Sequence, residues 1–230
     1  PAFDELCEHI RAAGEVAFDT EFISENTYQP ELCLLQFATA ERCIAVDPYQ
    51  VTDLSAWWQL MSSGEVTVVV HGGREEARFC WRYAQRRPGR LVDVQIAEGL
   101  RGRSYPLSYT ALVARVLGKT TEGKETRTDW SRRPLTERQI VYALEDVQFL
   151  LTVWDKQRKW LKQQNRLEWV MAEFERALDD VHHERTRENW RRLPGVQGLS
   201  RCELAIARDL FEWRERVGKE KDRPVRKVLR

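Results

Sequence analysis

The sequence predicts an α/β fold: a mixed β-sheet flanked by helices, followed by a helical C-terminal region. Three observations carry this. Strand-like segments crowd the N-terminal third, helix and strand patterns then alternate, and beyond residue 107 the periodic segments are helical. Taken in order, residues 2–13 read as a short amphipathic helix ended by Gly14. Residues 16–22, 32–38 and 43–46 alternate as strands, with a polar stretch through Pro30 and a turn at 39–42, an antiparallel meander. Residues 54–61 look helical, and the β-branched run 66–70 is a buried strand. A helix over 74–86 stops at Pro88-Gly89, and 91–94 is a short strand. Helices are expected at 107–117, at 136–163 as one long element, and at 166–190. A break at Leu193-Pro194-Gly195 precedes a last helix from Ser200 to about Lys221, opened by a Ser200/Glu203 capping box. This layout fits one α/β domain over 1–164, a helical linker over 165–198 and a partial, truncated domain over 199–230, since one helix cannot make a core.

Composition narrows the function classes. The chain has 230 residues, of which 42% are hydrophobic, enough for a packed core. No apolar run approaches the roughly 20 residues of a membrane span, and no signal-peptide pattern is visible. Five scattered cysteines without a Cys-x-x-Cys pair argue against a disulfide framework or zinc ribbon and for a reduced, cytoplasmic protein. Net charge is +1, but residues 1–50 carry −8 and the remainder +9. An acidic start and a basic remainder suit a protein that gathers metal ions at one place and phosphates elsewhere; ordinary solvated helix faces would read the same way.

Four segments carry candidate chemistry. In Phe18-Asp19-Thr20-Glu21-Phe22 the two acids are two apart on a strand and share a face. Paired carboxylates among apolar residues repel and lose hydration unless a cation joins them, and such oxygen ligands suit Mg²⁺ or Mn²⁺. Two solvent-facing acids on an edge strand would look alike. Tyr142 and Asp146 are spaced i, i+4 on one helix face, continued by Leu150 and Val153, either a site or a helix-boundary pair. In Val70-His71-Gly72-Gly73-Arg74-Glu75-Glu76 a strand feeds a turn and a helix, so the helix's first acids lie near the strand end; favourable charge at a helix N-terminus explains them equally. The loop Glu125-Thr126-Arg127-Thr128-Asp129-Trp130 through Leu135 mixes cations, hydroxyls and Trp, as a phosphate- and base-contacting loop or as a packed surface loop anchored by Trp130.

In combination these segments resemble the ribonuclease D family, the tyrosine-bearing DEDD class of exonucleases, over residues 15–153, which implies a ribonuclease-H-like fold for residues 1–164. Asp19-Thr-Glu-Phe with Tyr28-Gln-Pro-Glu-Leu-Cys-Leu-Leu-Gln36 is similar to its first motif. Glu-Thr-Arg-Thr-Asp-Trp, Arg-Pro-Leu and Tyr142-x-x-x-Asp146 are similar to its last. The tail 199–229 resembles the start of the family's helicase-and-RNase-D C-terminal (HRDC) domain. Two departures stand out. Glu76 occupies the place where the family has Asp, five residues after the His, and Lys124 is displaced by one place.

The resemblance implies a 3′→5′ exoribonuclease using two divalent metal ions, Mg²⁺ or Mn²⁺. Asp19 would bridge both, Glu21 and Asp146 would complete one site, and Glu76 would hold the second through its water shell. Tyr142 would orient the attacking water, its phenol being a poor base. Phe22, His71, Arg127 and Trp130 are the candidate nucleic-acid contacts. The implied partner is RNA with a free 3′ end, tRNA precursors among the expectations, acted on by a monomer. Two alternatives remain at this point: a DNA 3′→5′ exonuclease of the same superfamily, and a catalytically weakened RNA-binding module, to which Glu76 points.

Overall fold

The structure is a computed structural model and describes residues 2–102, 104–121, 128–186 and 189–229. Helix α1 (Ala2–Ala13) turns at Gly14 into β1 (Glu15–Ile23), then β2 (Glu31–Ala38) and β3 (Cys43–Val46). Next come α2 (Ser55–Ser63), β4 (Thr67–Val70), α3 (Arg74–Ala84), β5 (Leu91–Asp93), α4 (Val94–Arg101) and α5 (Tyr109–Leu117). The remaining helices are α6 (Glu137–Gln148), α7 (Leu150–Gln163), α8 (Leu167–Thr186), α9 (Arg201–Glu220) and α10 (Val225–Val228), with short 3₁₀ turns between α8 and α9. The five strands form one sheet in the order β3-β2-β1-β4-β5. The meander β1-β2-β3 is antiparallel and β1-β4-β5 is parallel, so the expected mixed sheet is present.

Each face of the sheet has its own core. On one face Phe18 and Phe37 meet Trp57 at ring-centroid distances of 4.7 and 4.8 Å, and α1, α2 and α3 close over them. Burying such side chains contributes roughly 1.5–3 kcal/mol each. On the other face Val69, Val92, Leu112, Leu150 and Val153 pack under α4, α5 and α7. The expected linker segment is part of this packing, since α8 lends Leu178 and Val181 to the first core and Val170 and Phe174 to the second.

Several elements differ from the sequence expectation, which had no helix over 94–101 or 225–228. Residues 91–94 are not all strand: Asp93 accepts the Gln95 N–H at 2.8 Å and starts α4, which Val94 opens. The single helix expected over 136–163 is two, broken at Phe149. There the Tyr109 hydroxyl donates to the Glu145 carbonyl at 2.5 Å, the acceptor that the Phe149 N–H would otherwise use. A side chain inserted into the i→i−4 ladder bends or breaks a helix.

Candidate active site

The site grows out of the middle of the sheet. β1 is its central strand, and side-chain alternation sends Asp19 and Glu21 to one face and Thr20 and Phe22 to the other. Helix α6 crosses β1, β2 and β3 on the acid-bearing face and brings Tyr142 and Asp146 over them. Its start is fixed by Thr136, whose hydroxyl accepts the Gln139 N–H in a reciprocal capping box. Helix α3 begins at the neighbouring end of β4, with Glu76 in its first turn and 4% exposed.

The turn that launches α3 is held by Asp93, which accepts the Gly72 N–H at 3.0 Å and the Gly73 N–H at 3.1 Å. Gly73 is required for contact rather than for its dihedrals: a Cβ there would lie 2.2 Å from Val70 Cγ2.

Electrostatics bind these acids into one cluster. The Asp19 carboxyl is held well above the carboxylate range by burial, then by Glu76, Asp146 and Glu21. Burial, then Asp146 and Glu76, push Glu21 up to about 8. Burial raises Glu76 to about 7 and Asp146 to about 6. The Tyr142 phenol is raised by burial and by the nearby carboxylates, and it lies close enough to Asp146 to donate to it. Among the described residues no Lys or Arg pairs with any of the four acids. Directly across from Asp19 on β2 is Gln36, fully buried, with both amide atoms unpartnered.

These features fit divalent cations. Buried acids without a basic partner call for a positive charge, oxygen donors suit Mg²⁺ or Mn²⁺, and an orphaned amide beside them suits bound water. Among the described residues no three acid, His or Cys side chains are drawn together closely enough to enclose an ion by themselves. Glu76 is turned toward the Thr20 hydroxyl, which donates to it at 2.6 Å.

The expected nucleic-acid contacts fare differently. Phe22 leans on Phe79 at 5.8 Å in the α3-side core and stays partly exposed. His71 contacts the Leu107 carbonyl through Nε2 at 3.0 Å, its pKa lowered chiefly by burial. Trp130 requires a correction: at 4% exposure, packed with Cys33, Leu34 and Ala143, it leaves no ring face for a base. It instead walls Tyr142, ring centroids 6.1 Å apart. Arg127 lies outside the described residues.

Sequence reasoning missed Thr20, Gln36, Asp93, Tyr109 and Arg133. Arg133 reaches the two Asp47 carboxylate oxygens at 2.7 and 2.8 Å and the Cys33 and Trp130 carbonyls at 2.7 and 2.8 Å. It thereby ties the loop before α6 to β2 and to Asp47, just past β3. Its place beside Trp130 in the motif was the available signal.

Residues 2–162 match the model of the 3′-5′ exonuclease family, and the chain belongs to that family. Within it the likeness is to ribonuclease D. The chain is 32% identical to ribonuclease D of Escherichia coli (strain K12), covering 100% of this chain and 61% of that one. It is 35% identical to ribonuclease D of Shewanella sp. (strain ANA-3), over 86% of this chain and 52% of that one. The crystal structure of the Escherichia coli enzyme superposes with a TM-score of 0.90 over 100% of this chain and 61% of that chain. The catalytic core of RRP6 from Trypanosoma brucei, 26% identical, gives 0.74 over 98% of this chain and 64% of that one. The chain therefore spans between half and two thirds of the length of these relatives.

Proposed function

We propose that the chain is a metal-dependent 3′→5′ exoribonuclease that removes nucleoside 5′-monophosphates from RNA ends. One observation carries the reading: carboxylates from three elements, Asp19 and Glu21 of β1, Glu76 of α3 and Asp146 of α6, are crowded together, Glu76 buried and the other three half-buried, and among the described residues none of them has a basic partner. The Escherichia coli relative, described as an exoribonuclease involved in structured RNA processing, supports RNA as the substrate; tRNA precursors are the class of RNA proposed.

The four acids would hold two divalent ions, Mg²⁺ or Mn²⁺, which when bound make a coordinated water acidic and offset charge on the scissile phosphate. The remaining work falls to the protein's own groups. The Tyr142 hydroxyl, beside Asp146, would orient the water for in-line attack, and its raised pKa keeps it a donor, not a base. Water adds to phosphorus, the 3′ oxygen of the penultimate nucleotide leaves, and the terminal nucleotide departs with the phosphate. Phe22 and His71 would flank the terminal nucleotide, and Arg127 stays a proposed nucleic-acid contact on sequence grounds.

Residues 199–230 read as the start of an HRDC-type domain, supported by α9, which leaves Ile206, Leu210 and Trp213 exposed along its length. Among the described residues no helix is long and apolar enough to cross a membrane, and the five cysteines are free; a cytoplasmic monomer is the assignment proposed.

The test is digestion of a 3′-labelled RNA and a matched DNA with Mg²⁺ or Mn²⁺, with and without chelator. RNA shortening from the 3′ end, abolished by chelator and by Asp19→Asn in a chain that melts normally, is expected. Full turnover by Asp19→Asn would rule the scheme out; preference for DNA would move the chain to the DNA-degrading branch; metal-independent binding without cleavage would make it an RNA-binding module.

A further inference from the structure

We propose that Thr20 is a positioning residue that acts through Glu76, fixing the longer acid of α3 against the catalytic strand. The inference rests on the exonuclease reading above. Thr20 stands between Asp19 and Glu21 on β1, but its side chain leaves by the opposite face, toward α3. It is 5% exposed and Glu76 is 4% exposed, so neither trades this contact for bulk water. The Thr20 hydroxyl donates to Glu76 Oε1 at 2.6 Å, the length of a charge-assisted O–H···O⁻ bond. The Thr20 N–H also donates to Asp19 Oδ1 at 2.9 Å. One residue thus touches acids from two elements, through its main chain on one and its side chain on the other.

The chemistry explains why a glutamate works at position 76. Its extra methylene carries the carboxylate about 1.5 Å further, with an added rotatable bond that must be restrained. The bond to Thr20 restrains it. It occupies one oxygen and leaves Oε2 for the water shell of a cation. An aspartate at this position draws its oxygens back, out of reach of the hydroxyl, and needs no such restraint.

The experiment is a double-mutant cycle between Thr20→Val and Glu76→Asp, with Thr20→Ser as the conservative control. It is read twice: as kcat and KM on 3′-labelled RNA, and as Mn²⁺ affinity by calorimetry in the absence of RNA. Thr20→Val keeps the β-branched shape of a strand residue and removes only the hydroxyl. It should lower kcat by about tenfold or more, leave KM within about threefold, and weaken one of two Mn²⁺ sites. Thr20→Ser should stay within about threefold of the parent in both readouts. In the Glu76→Asp background the effect of Thr20→Val should nearly vanish. Equal losses in both backgrounds, an unaltered Thr20→Val protein, or a Thr20→Ser protein as damaged as Thr20→Val would overturn the proposal. If the parent chain bound Mn²⁺ but cut no RNA, the exonuclease reading would fail, and the Mn²⁺ cycle would still decide the role of Thr20.

Discussion

Tyr142 shows how one side chain is shaped for its task by what surrounds it. Trp130 walls its ring on one side, and Asp146, one helical turn on, lies near its hydroxyl. Tyr142→Phe should therefore fold normally and lower kcat by roughly 10- to 100-fold with little change in KM, as expected for a lost orienting contact. A larger rise in KM than fall in kcat in steady-state assays would instead make it a binding residue. The shared faces of Asp19 with Glu21 and of Tyr142 with Asp146 were readable from the chain because strand alternation and the i, i+4 rule assign faces without knowledge of the fold. Gln36 was not: nothing in a run such as Leu34-Leu35-Gln36-Phe37 says which polar residue the sheet will bury opposite Asp19. Trp130 was misread for a related reason, since Trp beside Arg and Asp looks the same whether its ring faces solvent or Ala143.

At the level of elements, periodicity found the strands and most helices to within a residue or two. It failed where a tertiary contact decides the matter. The interruption at Phe149 comes from Tyr109, distant in sequence, and nothing within 136–163 announces it. The short α4 carries Gly99, a poor helix former kept because the Tyr105 ring lies where a Cβ would stand. Arg133 works at this scale too, clamping the loop before α6 to β2 and Asp47 and holding the Asp47 carboxyl below its usual range. Arg133→Lys keeps the charge and loses the fork. It should cost about 2 kcal/mol in chemical denaturation and lower kcat as Trp130 and Tyr142 shift together. An unchanged denaturation midpoint would mean that the loop is held by other contacts.

For the whole molecule, the acid cluster makes stability depend on pH in an unusual direction. Unfolded, these carboxyls ionise near 3.8–4.5; folded, Asp146, Glu76 and Glu21 keep their protons to about 6, 7 and 8. Between those limits the folded state binds more protons, so stability is full below pH 4 for these groups and drains away as pH rises toward 8. In chelator, the melting temperature should fall between pH 5 and 8.5. Mg²⁺ or Mn²⁺ should restore it, and by more at pH 8 than at pH 5, since binding to the ionised fold adds stability. A melting temperature in chelator that climbs over this range would contradict the crowded, mutually repelling cluster. The placement of β1 adds a last consequence. It is paired with β4 over residues 15–17 and with β2 along most of its length, with a register shift after Glu21, and a one-residue slip would exchange Asp19 and Glu21 for Thr20 and Phe22. The crowding of charge therefore cannot be relieved by a slip of β1 without turning its apolar residues out of the core. Affinity for ions and integrity of the sheet should disappear in a single cooperative transition on heating, with no intermediate that keeps one without the other.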